Sequence, residues 1–201
     1  VNILYRVGAR NENPARTGFA HLFEHLMFRG TRTVENFDLP VQMASGDNNA
    51  FTNNDYTDFY ITLPKDNLET ALWLESDRME GLDITPAKLE AEKKVVIEEF
   101  RQRYLNQPYG DQTMLLRALA YKVHPYRWAT IGLTPEHIAQ ATPDEVQAFY
   151  RAHYRPSNAI LSISADIDEE KMLDLAEKWF EPLANRPAAP DHIRQEPVQT
   201  A

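Results

Sequence analysis

No cysteine occurs anywhere in the 201 residues, so disulfides, thiolate metal sites and thiol nucleophiles are excluded together. Positive charge is also short: 21 Lys and Arg stand against 30 Asp and Glu, a formal net charge of −9. No basic cluster supplies the face that phosphate binding needs, which argues against a nucleic-acid partner. An acidic surface favours basic substrates only weakly. No apolar run is long enough for a membrane span, and no charged segment leading into an apolar core marks a signal peptide. Internal repeats and low-complexity stretches are lacking too.

What is present suffices for a sizeable core, with 43% hydrophobic residues in a chain of ordinary domain length. The chain opens at Val1 directly in an alternating stretch, Val1, Ile3, Tyr5, Val7, which reads as a strand already under way and leads us to expect a processed or excised fragment. After a turn-rich loop over Arg10 to Pro14, a helix is expected from near Thr17 to Phe28, and a short one from Glu35 to Ser45 closed by Gly46. Asn48 to Leu63 suggests a hairpin of two antiparallel strands around Asn53-Asn54-Asp55. Further helices are expected over Asp66 to Gly81, with Glu69 as a capping-box partner, Thr85 to Leu105, Gln112 to Val123, a short turn from Thr134, Thr142 to His153, and Asp168 to Phe180. Ala159 to Ala165 alternates as a strand. From residue 184 to 201 the recurring prolines suit an extended linker, so a domain is expected over 1–183.

The chemistry concentrates in His21-Leu22-Phe23-Glu24-His25, inside the apolar run Thr17 to Phe28. On a helix, residues four apart stand on one face, so His21 and His25 can direct both imidazoles at one point, with Glu24 beside them. Two neutral imidazoles at that spacing suit a borderline metal such as zinc, and a neighbouring carboxylate can work on an activated water. The plain alternative is a buried amphipathic helix with hydrogen-bonded histidines, but burying two imidazoles and a carboxylate without a metal or partners is costly. A catalytic zinc wants three protein ligands, and the Thr85 to Leu105 helix offers Glu92 and Glu99, seven positions and so two turns apart. Spacing leaves open which of them leans toward the histidines and which supports from behind. The other acidic residues of that helix, interleaved with Lys and Arg, read as a solvated face.

His21-x-x-Glu24-His25 followed by Glu92-Lys-Lys-Val-Val-Ile-Glu-Glu99 closely resembles the pitrilysin and insulin-degrading enzyme family, which includes the mitochondrial processing peptidases and belongs to the inverted zincins. Gly18 to Phe28, Asn49-Ala50-Phe51-Thr52, His124-Pro125-Tyr126 and Phe149-Tyr150 through Asn158-Ala159 extend the likeness over nearly the whole chain to about Leu183. Phe100 stands where many relatives carry Met.

The resemblance implies a mixed α/β (α+β) domain, an antiparallel sheet with helices packed on one face. It implies His21, His25 and Glu99 as ligands of one zinc ion, Glu24 as general base and Glu92 as the supporting carboxylate. It further implies that Asn49, Ala50, Phe51 and Thr52 form an edge that takes peptide substrate as an added strand, where a plain sheet edge is the alternative. The expected activity is that of a zinc metalloendopeptidase; the rival is a non-catalytic metal- and peptide-binding subunit. Family enzymes are built from two homologous halves, so a second half or companion subunit is an expected partner, and an exported, periplasmic location is implied by the resemblance alone. The sulfur-ribosyl lyases share an inverted zinc motif but rely on a cysteine, which is absent here. His124, His137, His153 and His192 lack ligand-like spacing and are expected to serve structure or surface.

Overall fold

The computed structural model describes residues 1–184, 187 and 193–199. Four strands, β1 (Asn2–Tyr5), β2 (Asp47–Thr52), β3 (Thr57–Thr62) and β4 (Ala159–Ser162), form one antiparallel sheet in the order β2-β3-β1-β4. Eight α-helices are present among the described residues: α1 (Phe19–Leu26), α2 (Asp38–Met43), α3 (Leu68–Glu80), α4 (Pro86–Phe100), α5 (Gln112–Ala120), α6 (Pro135–Ala139), α7 (Pro143–His153) and α8 (Glu169–Phe180).

Strand alternation decides which sheet face is covered. Ile3 and Tyr5 of β1 and Phe59 and Ile61 of β3 are buried on one face, while Tyr60 and Ile160 are exposed on the other. Against the buried face lie Phe19, Leu22, Phe23 and Leu26 of α1, joined by Leu89, Val96 and Phe100 of α4 and by Val146 and Tyr150 of α7. A second cluster of Phe37, Val41, Ile61, Ala71 and Leu74 packs α2 and α3 beneath the hairpin. Within it Arg78 is fully buried, donating two hydrogen bonds to Glu75, with its guanidinium 4.2 Å from the Phe59 ring centre and 4.5 Å from that of Phe37.

The hairpin turn falls at the expected residues because the Asn53 side-chain oxygen accepts from the Asp55 and Tyr56 N–H groups at 2.7 and 2.9 Å, an Asx turn. The expected starts of α4, α7 and α8 also hold: Thr85, Thr142 and Asp168 each accept a backbone N–H of the first turn, and Glu145 returns a bond to the Thr142 N–H.

Other boundaries differ. Helix α2 is shorter than Glu35 to Ser45; Asn36 accepts from Asp38 and Leu39 at its start, and the left-handed residue at its end is Ser45 (φ 57), not Gly46. Glu69 forms no capping box, because its carboxylate turns outward to accept from Lys178 and Trp179 of α8. Helix α4 stops at Phe100 and widens into a π turn over Arg101–Leu105, α5 ends at Ala120 where Tyr121 becomes extended, and β4 ends at Ser162, the length over which it pairs with β1. Of the proline-rich stretch, the described 193–199 segment lies against the loop after α5, where the Glu196 carboxylate accepts the N–H groups of Lys122, Val123 and His124. Pro190 and His192 lie outside the described residues.

Candidate metal centre

Helix α1 carries the paired histidines, and its placement depends on a residue that local sequence does not announce. Its N-cap is Gly18, left-handed at φ 91 and without a side chain to accept a first-turn N–H. A Cβ there would stand 2.6 Å from the Ile131 carbonyl oxygen, so a capping Ser or Asp has no room. Glu12 does the capping from six residues upstream: its buried carboxylate accepts from Gly18 N at 2.8 Å and Ala20 N at 2.9 Å. Burial pushes this carboxyl up to about 8, against the pull of the backbone N–H groups of Ala20 and Gly18. Thr17 fixes the same end, its hydroxyl accepting from Leu133 N and sharing a 2.8 Å hydrogen bond with His137 Nδ1.

Packing of α1 against α4 then brings the candidate ligands together. Glu99 Oε2 lies 3.6 Å from His21 Nε2 and 3.4 Å from His25 Nε2, and the two imidazole centres are 4.9 Å apart. Metal–ligand bonds of about 2.0–2.1 Å in a tetrahedron require ligand atoms roughly 3.4 Å apart. The donor set fits zinc in chemistry, and the two distances to Glu99 fit that spacing; His21, His25 and Glu99 are also the one group of such residues among those described whose ligand atoms converge within 4.8 Å.

Glu92, one helical repeat earlier on α4, sits behind this point. Its Oε2 lies 3.4 Å from His25 Nδ1 and its Oε1 2.5 Å from Arg29 Nε, so it steadies the His25 ring and is itself balanced by a cation. Burial works against charge on His25, but the hydrogen-bonding carboxylates Glu92 and Glu99 outweigh it and hold the imidazole up at about 9. His21 goes the other way, lowered to about 4 by burial despite Glu99. Its Nδ1 is buried with no hydrogen-bond partner among the described residues, so only one of the two rings has a carboxylate behind it.

Glu24 points into the same cleft, and the Thr52 hydroxyl donates to its Oε2 at 2.5 Å. Burial raises its carboxyl above the ordinary range, which the Thr52 bond and the His25 charge oppose. Asn49, Ala50, Phe51 and Thr52 all lie along this cleft, an open cavity of about 490 Å³ that Arg103, Tyr104, Thr130 and Ile131 also line. They belong to β2, which is an outer strand of the sheet, and the Ala50 N–H is met by the Asn49 side chain at 2.8 Å.

Every candidate residue from the sequence is thus found at one cleft or directly behind it. Sequence reasoning passed over Glu12, Arg29 and Arg103. The last stands four residues after Glu99, the spacing of a helical Glu–Arg pair, and that spacing was a usable signal. For Glu12 the only hint was a helix start with no capping side chain of its own. Among the remaining histidines, His124 accepts from Tyr126 N and His137 takes the Thr17 bonds, while the His153 ring lies 4.7 Å from that of Phe149.

Comparison with known proteins agrees in sequence and in fold. Residues 1–132 match the family model described as Insulinase (Peptidase family M16), and residues 140–201 match the one described as Peptidase M16 inactive domain. The chain is 35% identical over 203 aligned positions to a Helicobacter pylori protein named zinc protease PqqE, covering 99% of this chain but 46% of that protein. The crystal structure of a protease from Helicobacter pylori superposes with a TM-score of 0.91 at 33% identity, over 98% of this chain and 48% of the other. The first half of the periplasmic protease PqqL from Escherichia coli has the same fold, with a TM-score of 0.82 at 24% identity, over 100% of this chain and 44% of the other. The chain spans about half the length of the curated relatives it matches.

Proposed function

The chain belongs to the insulinase family, peptidase family M16, and from that premise we propose that it carries the zinc site of a metalloendopeptidase acting on extended peptides. The observation that supports this most is the convergence of ligand atoms of His21, His25 and Glu99 within 4.8 Å of one another beside a carboxylate, Glu24, that no ligand set requires. His21, His25 and Glu99 would hold the ion, and Glu92 would orient His25. Zinc bound there supplies a Lewis acid for a carbonyl oxygen and a water acidified to near neutrality.

The rest of the chemistry belongs to side chains. Glu24 takes the proton of the attacking water and passes it to the leaving amine, a general acid–base contribution of roughly 10²–10⁴ in rate. Thr52 donates to Glu24 Oε2 and so directs proton traffic to the other oxygen. The free edge of β2 over Asn49 to Thr52 pairs with substrate backbone, which favours extended peptides and leaves side-chain preference loose.

A second homologous half, on the same polypeptide or a companion chain, would close over this cleft, since this chain spans 46% of its Helicobacter relative. An exported location is proposed with it. The competing reading is a subunit that binds metal and peptide without cutting; the match of residues 140–201 to an inactive-domain model lies outside the candidate ligands and Glu24 and does not decide between the two. Comparison of Glu24→Gln with the unaltered chain, zinc-loaded and with the companion half present, separates the two. An unfolded peptide should be cut roughly 10²–10⁴-fold more slowly by the variant at unchanged zinc content. Equal turnover would remove the catalytic assignment.

A further inference from the structure

Glu99 uses its two oxygens differently. Oε2 faces the histidines at 3.6 and 3.4 Å, while Oε1 lies 3.0 Å from Arg103 Nη2. A carboxylate with both oxygens free can close on a metal through both, and the second would take the position that a hydrolytic zinc site keeps for water. The backbone has a device that sets the guanidinium there. Immediately after Phe100 the helix widens into the π turn, closed by Asn106 N on Arg101 O at 2.8 Å, and Arg103 sits inside it. Such turns occur frequently at functional sites. Folding does not account for the pair: the Arg103 side chain is 66% exposed, and an ion pair that open to solvent adds little stability.

We infer that Arg103 is a positioning residue that holds Glu99 Oε1 so that Glu99 meets the metal through Oε2 alone, keeping the fourth coordination position open. This rests on the zinc site proposed above and concerns how the site is kept four-coordinate. The guanidinium suits the task because its planar fork is always charged and grips a carboxylate directionally, where an ammonium acts only as a point charge. It lines the same cleft as Asn49 to Thr52, beside the carboxylate it pairs with.

The test uses the full chain and its Arg103→Gln, Arg103→Ala and Arg103→Lys variants. Zinc affinity is read by competition with a chromophoric chelator, and coordination number by the visible spectrum of the cobalt(II)-substituted protein, in which four-coordinate ions absorb more strongly than five-coordinate ones. Loss of the guanidinium should lower the absorption per cobalt ion, because the freed Glu99 oxygen closes on the metal as a fifth donor, without weakening zinc, and Lys should restore part of the four-coordinate spectrum. An unchanged cobalt spectrum in all three variants, or zinc weakened about tenfold with the spectrum unchanged, would overturn the inference. So would a change confined to KM for acidic peptides, which would make Arg103 a substrate-binding group. Failure of the unaltered chain to bind either metal would instead remove the zinc site itself, and this inference with it.

Discussion

Glu12 offers the most searching test of how helix α1 is held. Its carboxylate is the sole side-chain acceptor described for two buried N–H groups at the start of α1, Gly18 and Ala20. Glu12→Ala leaves both donors unpaired at about 1–3 kcal/mol each, so a loss of about 4 kcal/mol is expected. The pH dependence is more diagnostic. Burial raises the carboxyl from 4.5 to about 8, so the folded protein holds this proton more tightly than the unfolded chain does. Its contribution is therefore full below about 4.5 and is lost as pH rises through about 8. A span of roughly 3.5 pH units at about 1.36 kcal/mol each gives an upper bound of about 5 kcal/mol. Glu12→Gln cannot titrate; it keeps one acceptor, turns an NH₂ toward the other donor, and should be uniformly offset without that decline. Urea unfolding of the three proteins between pH 5 and pH 8.5, followed by circular dichroism, reads both effects. Parallel stability profiles for the unaltered chain and Glu12→Gln, or a loss under about 1 kcal/mol for Glu12→Ala, would refute the reasoning.

Two further expectations follow from the same geometry. Ala50→Pro removes an N–H that meets the Asn49 side chain, so the fold should survive while KM for extended peptides rises; unchanged steady-state kinetics would count against strand addition at β2. Arg78→Ala strands the buried Glu75 carboxylate and should cost about 3–5 kcal/mol in urea unfolding, whereas Arg78→Met combined with Glu75→Gln should cost clearly less; equal losses would show that packing, and not the unpaired charge, sets the penalty.

Much of the fold was legible because its signals are local. The turn at Asn53, the caps at Thr85, Thr142 and Asp168 and the alternation of β1 and β3 each depend on residues within a few positions of one another. Glu69 shows where that stops: it has the spacing of a capping residue, yet Lys178 and Trp179, more than a hundred positions away, claim its carboxylate. The π turn after Phe100 was hidden for a related reason, since Arg101 to Leu105 keeps a helical composition and only the backbone reveals the wider turn.

The sequence by itself determined which residues could share a face: His21 with His25, and Glu92 with Glu99, because 3.6 residues per turn is a property of one helix. It could not decide between the two carboxylates. That depended on how α1 and α4 bury Leu22, Phe23 and Leu26 against Leu89, Val96 and Phe100, a packing that sets Glu99 between the two Nε2 atoms and Glu92 behind His25. Tertiary structure also assigned the cap of α1 to Glu12 and the free oxygen of Glu99 to Arg103. The helix start lacked a side chain of its own, and the turn that aims Arg103 takes its shape from the backbone.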